Sequence, residues 1–98
     1  MTTEPVVLIN AFEVPAAADE HFLASWESGR DYLRTQPGYL STRLHRSLSP
    51  TADFRFVNVA LWRSVDDFLA ATAKPEWRER ANPYRFHPAL YEVVRDDT

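Results

Sequence analysis

The first patterned segment, Val6 to Val14, is an apolar, β-branched run closed by Pro15. It is too short for a typical helix and reads as a buried strand. From Ala16 the pattern becomes helical. Asp19 and Glu20 fall in the first turn, where the helix dipole favours acids. Phe22, Trp26, Gly29 and Leu33 then recur at spacings of four, three and four, which predicts one face turned to a core. Gln36-Pro37-Gly38 ends the helix, since proline cannot continue it and glycine suits the turn.

Tyr39 to Leu48 alternates, with Leu40, Thr42, Leu44 and Arg46 on one face and Ser41, Arg43, His45 and Ser47 on the other. It reads as a strand with one polar face. After the turn cluster Ser49-Pro50-Thr51-Ala52-Asp53 comes a second strand, Phe54 to Trp62. Both of its faces are largely apolar, which predicts a central strand covered on both sides. Ser64 is the expected N-cap of the next helix, with Asp67 three residues on. That helix carries Val65, Phe68, Leu69 and Thr72 and breaks at Lys74-Pro75. A short piece, Glu76 to Ala81, holds Trp77. A loop through Phe86, His87 and Pro88 leads to a last strand, Ala89 to Val94.

The order β-α-β-β-α-β, with right-handed crossovers, gives a ferredoxin-like α+β arrangement: one antiparallel sheet with both helices on one face. The other face keeps either the Val7-Ile9-Ala11 set or the Leu8-Asn10-Phe12 set of the first strand. Apolar sheet left in water marks an interaction surface, and pairing of two copies through that face would cover it.

Length supports the same expectation. At 98 residues the chain is expected to be one domain, 1–98, and chains of this size often need a disulfide, a metal or a partner. There is no cysteine, and His21, His45 and His87 lack the short spacing of a zinc motif. A homodimer is the remaining support. The net charge of −3 argues against nucleic acid, which wants a basic face. No apolar run approaches the roughly 20 residues of a membrane span. Met1-Thr2-Thr3-Glu4 is unlike a signal sequence, so the expected location is cytoplasmic. Ten of the eleven basic residues are arginine, read mainly as codon bias and only slightly as anion recognition. Aromatics at 13% supply the residues that line ligand cavities.

Several segments together resemble the antibiotic biosynthesis monooxygenase (ABM) domain of the dimeric α+β barrel superfamily. They are Val6-Val7-Leu8-Ile9-Asn10-Ala11-Phe12, the helix with Phe22 and Trp26, Gln36-Pro37-Gly38-Tyr39-Leu40, and Val59-Ala60-Leu61-Trp62-Arg63-Ser64 with Phe68. The likeness runs roughly from Val6 to Val94. It implies a homodimer whose sheets close into a barrel. It also implies a monooxygenase that uses no metal, flavin or added cofactor and oxidises electron-rich polyketide aromatics, such as anthrones, to quinones with O2. Haem-degrading relatives use an asparagine that Asn10 matches, a tryptophan position that falls on Ala71 and a histidine position that falls on Ala81. Loss of the last two argues against haem degradation. The same fold would also suit a polyketide cyclase or a non-catalytic small-ligand-binding dimer.

Within this frame Asn10, polar in an apolar strand, is either a donor to a substrate carbonyl or enolate oxygen or a satisfied amide paired with Asn58. Trp62 either stacks on a flat ligand or plugs the strand–helix corner. His45 is the acid–base candidate by type, with Arg43 on its face to hold an anion. Phe22, Trp26, Asn58, Tyr39 and Trp77 are expected to line a substrate pocket. Trp77, with Arg78 and Arg80, is expected near its mouth, as a lid or a dimer contact. There is no cysteine nucleophile, Gly-x-Ser-x-Gly motif or phosphate-cradling glycine loop.

Overall fold

The computed structural model describes residues 4–80 and 82–98. Ala81, the position expected to correspond to the haem relatives' histidine, and Met1–Thr3 lie outside the described residues. The elements are β1 (Val6–Glu13), a 3-10 turn (Ala16–Ala18), α1 (Asp19–Leu33), β2 (Tyr39–Arg46), β3 (Phe56–Trp62), α2 (Val65–Thr72), α3 (Pro75–Arg78) and β4 (Arg85–Tyr91). The four strands form one antiparallel sheet in the order β2-β3-β1-β4. The fold is α+β and ferredoxin-like. β3 is central, as its two apolar faces require.

Burial alternates along β3, with Phe56, Asn58, Ala60 and Trp62 buried and Val57, Val59 and Leu61 half-buried. Its partners in β1 resolve the face the sequence left open. Leu8 lies opposite Ala60, Asn10 opposite Asn58 and Phe12 opposite Phe56, so this set lies under the helices. Val7, Ile9 and Ala11 share the opposite face with Val57, Val59 and Leu61. The chain is only 16 Å deep along its shortest axis, the thickness of one sheet and one layer of helices. That second face therefore has no covering layer within the chain.

Local chemistry fixes where the helices sit. Asp19 at the start of α1 takes a two-point ion pair from Arg55, at 2.5 and 2.7 Å, which ties the helix to the entry of β3. Ser64 caps α2, accepting from the Asp67 backbone N–H at 3.1 Å, and Arg63 grips the Asp67 carboxylate at 2.7 and 3.0 Å. Gly38 turns the chain into β2 at φ 88°, and a Cβ there would overlap Asp67. Only glycine suits both demands.

Three expectations are corrected. The last strand runs Arg85–Tyr91 rather than Ala89–Val94. Pro88 lies within it because β4 is a sheet edge, where a residue without an N–H is tolerated. The third strand begins at Phe56, not Phe54, and Phe54 packs instead on the His87 ring at 5.2 Å. On α2, Val65 and Leu69 are exposed, and the inward stripe is Phe68, Ala71 and Thr72.

Candidate active site

The sheet face under the helices carries two apolar clusters. Leu8, Ala60, Trp62 and Ala71 form one; Phe12, Val14, Phe22 and Phe56 form the other. Asn10 and Asn58 separate them in the register of β1 and β3. Over this floor lies a cavity of about 430 Å³, within the usual range for small-ligand sites. Its roof is Trp26, Gly29 and Leu33 of α1, Phe68 and Thr72 of α2, and Trp77 of α3. Gly29 lets Trp77 lie close, since a Cβ there would stand 3.3 Å from the indole. The lining residues that are also exposed, Arg78, Arg80, Phe86 and Pro88, mark the mouth. The chain around α3 is pinned by Lys74 to Gln36, by Arg80 to the Ser28 carbonyl at 2.5 Å and by Tyr84 to His21 at 2.7 Å.

Two polar atoms in this wall have no hydrogen-bond partner: Asn10 Oδ1 and Trp62 Nε1, both buried. The amide of Asn58 is served, its Oδ1 accepting from Thr42 Oγ1 at 2.6 Å. No side-chain hydrogen bond joins Asn10 to Asn58 among the described residues. Buried polar groups are normally paired, so the two orphans mark places where a ligand or a water would be welcome. Trp62 is fully buried, edge-on to Tyr39 at 5.6 Å and to Phe68 at 5.5 Å. It plugs the strand–helix corner and walls the cavity at once.

Of the nine predicted site residues, the fold gathers six around the cavity: Asn10, Trp62, Trp26, Asn58, Tyr39 and Trp77. Phe22 is not among them. It is fully buried, stacked on Phe56 at 4.4 Å in the second cluster. Arg43 and His45 are also elsewhere. They pair with Val59 and Val57, on the face away from the helices, and His45 Nδ1 lies 3.2 Å from the Val57 carbonyl. Strand parity separates them from Asn58, so His45 is not placed to act as a base in this cavity, nor Arg43 to hold an anion there.

Thr42, Arg30, Thr72 and Asn82 also line the cavity and were not anticipated. Parity along β2 was a usable signal for Thr42. Tyr39 required more: three residues from Thr42, it belongs on the other face of a regular strand. A register shift between Tyr39 and Ser41 brings both to the cavity. Burial raises the Tyr39 phenol above its ordinary pKa, only partly offset by Arg30 and Arg34, so it stays protonated at neutral pH. Arg30, Arg78 and Arg80 line the cavity, and no described carboxylate does.

No helix among the described residues is long and apolar enough to cross a membrane, and no cluster of them could hold a metal ion. The sequence profile of the family described as antibiotic biosynthesis monooxygenase matches residues 5–82. No curated protein sequence matches the chain. Among solved structures, a presumed monooxygenase from Shewanella loihica PV-4 is 42% identical, covering 98% of this chain and 100% of its own, with a TM-score of 0.87. SnoaB, a cofactor-independent oxygenase from Streptomyces nogalater, is 25% identical over 95% of this chain and 96% of its own, with a TM-score of 0.80. The haem degrader MhuD from Mycobacterium tuberculosis is 31% identical over 96% of this chain and 100% of its own, with a TM-score of 0.73. Profile and fold agree: this chain belongs to the antibiotic biosynthesis monooxygenase family.

Proposed function

We propose that the chain is a cofactor-independent monooxygenase that oxidises a flat, electron-rich aromatic of the polyketide or anthrone type to a quinone with O2, working as a homodimer. One observation carries the reading: the unpartnered polar atoms of Asn10 and Trp62 in the wall of a largely apolar cavity. The fold shared with SnoaB supports it. The apolar face of Val7, Ile9, Ala11, Val57, Val59 and Leu61 supports the dimer.

The chemistry needs little more than anion stabilisation. An anthrone loses a methylene proton and its charge moves onto the carbonyl oxygen. The Trp62 N–H can only donate, and so suits that oxygen. The Asn10 amide offers either end, because a half-turn exchanges Oδ1 and Nδ2 with little change of shape. It can accept from a neighbouring phenol or donate to the enolate. No described carboxylate or imidazole lines the cavity, so the proton passes to water. The carbanion gives one electron to O2, and the substrate radical and superoxide combine in a new C–O bond. The peroxide takes up a proton, and the O–O bond then breaks as the outer O–H leaves with the second methylene hydrogen as one water, leaving a carbonyl. One oxygen atom ends in the quinone and the other in water. Trp26 and Trp77 suit the ring faces.

The donor set does not fit haem, the ligand of MhuD. No described histidine or methionine lines the cavity, and the chain has no cysteine. His21 faces Tyr84, His87 faces Glu13, and His45 lies on the opposite side of the sheet. The Tyr39 phenol, held protonated by burial, is a poor anionic axial ligand.

Oxygen uptake by chelator-treated protein supplied with a panel of anthrones tests the reading. Uptake with quinone formation supports it. Turnover without oxygen consumption would show a cyclase instead, and mixing with hemin is expected to give no Soret shift.

A further inference from the structure

We infer that the substrate is an anionic aromatic, carrying a carboxylate that Arg78 and Arg80, with Arg30, hold at the cavity mouth. The inference rests on the oxygenase reading for the aromatic part of the ligand. The charge is argued from the lining. The chain as a whole is acidic, at −3, yet this cavity is lined by three arginines and by no described aspartate or glutamate. A neutral quinone or phenol gives no reason for such an excess.

Two of the three guanidinium groups are fixed by contacts that leave donors over. Arg80 gives Nη1 to the Ser28 carbonyl and lies 5.9 Å from the Tyr32 ring centre. A neutral carbonyl does not neutralise it. Arg30 stands 5.4 Å over the Trp26 ring and is held from one side by Asp31 at 3.0 Å. Arg78 makes no hydrogen bond or salt bridge among the described residues, although it lines the cavity and is exposed at its mouth. Each guanidinium has five N–H donors in a planar fork that matches a carboxylate. An aromatic acid would lay its rings between Trp26, Trp77 and the sheet and leave its carboxylate at this rim. A charge-assisted contact of this kind is worth about a tenfold gain in affinity over its neutral counterpart.

All three tryptophans of the chain, Trp26, Trp62 and Trp77, line the cavity, so their fluorescence reports its occupancy. The test is a quenching titration with anthraquinone-2-carboxylate and with anthraquinone-2-carboxamide, which share their rings and differ in charge. The carboxylate is expected to bind about tenfold tighter at low salt, with the preference shrinking as salt is raised. In the Arg78→Gln variant, whose guanidinium has no described partner to lose, the carboxylate should lose at least about threefold more affinity than the carboxamide, which a collapsed cavity, weakening both alike, could not give. Equal affinities in the natural chain, or a preference that Arg78→Gln leaves unchanged, overturns the inference and leaves the oxygenase reading standing. Failure of both probes to quench overturns both.

Discussion

Asn10 and Asn58 lie directly opposite each other on β1 and β3, yet only Asn58 has its carbonyl oxygen occupied, by Thr42 at 2.6 Å. The other amide is left with Oδ1 buried and unpartnered. Two chemically identical side chains in one cross-strand pair thus have opposite standing. One is structural, fixed by its own neighbour; the other is held ready in the cavity wall.

This asymmetry predicts opposite effects of substitution. Asn10→Leu removes an unsatisfied buried acceptor, so thermal stability should hold or rise by about 1 kcal/mol. Loss of a preorganised hydrogen-bonding group at a developing oxyanion should lower the oxidation rate at least about a hundredfold. Calorimetry beside an activity assay checks this. A destabilised but active variant would mean the amide is structural.

Thr42→Val should behave in the reverse sense. It leaves the Asn58 oxygen without its donor, at a cost of about 1–3 kcal/mol. Denaturant unfolding should show a lower midpoint with an unchanged slope, since the surface exposed on unfolding is the same. A midpoint equal to that of the natural chain would mean that Asn58 finds another partner.

His45→Ala should leave the pH dependence of the reaction intact, because His45 lies on the far face of the sheet. The rate is expected to climb with pH as the substrate itself ionises. A pH-dependent step in the natural chain that the variant lacks would restore the imidazole as a base.

Acid should loosen the attachment of α1. The hydrogen-bonded Arg55 guanidinium, beyond what partial burial offsets, holds the Asp19 carboxyl below its ordinary pKa, and Arg63 with Ser64 does the same for Asp67. A carboxyl whose pKa is lower folded than unfolded binds fewer protons in the folded chain. Its stabilisation is full above the unfolded value of about 3.9 and is lost as pH falls through the folded value. Thermal melts taken downward from about pH 5 should show a declining Tm, less steep in Asp19→Asn. Equal slopes would show that this pair does not couple to folding.

Much of the fold was legible because its signals are periodic. The two apolar faces of Phe54–Trp62 announce a central strand, and Ser64 with Asp67 announces a capped helix. β4 was misplaced because Pro88 reads as a breaker, and only the sheet order shows that its strand lies at an edge. At the site, Asn10 was visible as a polar residue in an apolar run. His45 and Arg43 were drawn in by residue type, and parity against Asn58 removes them. Tyr39 owes its place to an irregular register, and Arg30 to the packing of α1 and α3 around one cavity. Neither leaves a periodic mark.

The central claim is that the cavity walled by Asn10 and Trp62 is an oxygenase site. Oxygen consumption by chelator-treated protein with an anthrone, natural chain beside Asn10→Ala, tests it most directly. One O2 should disappear for each quinone formed in the natural chain, and the variant should be slower by about a hundredfold or more. Consumption no faster than in buffer, with anthrones that do quench the tryptophans, would contradict it.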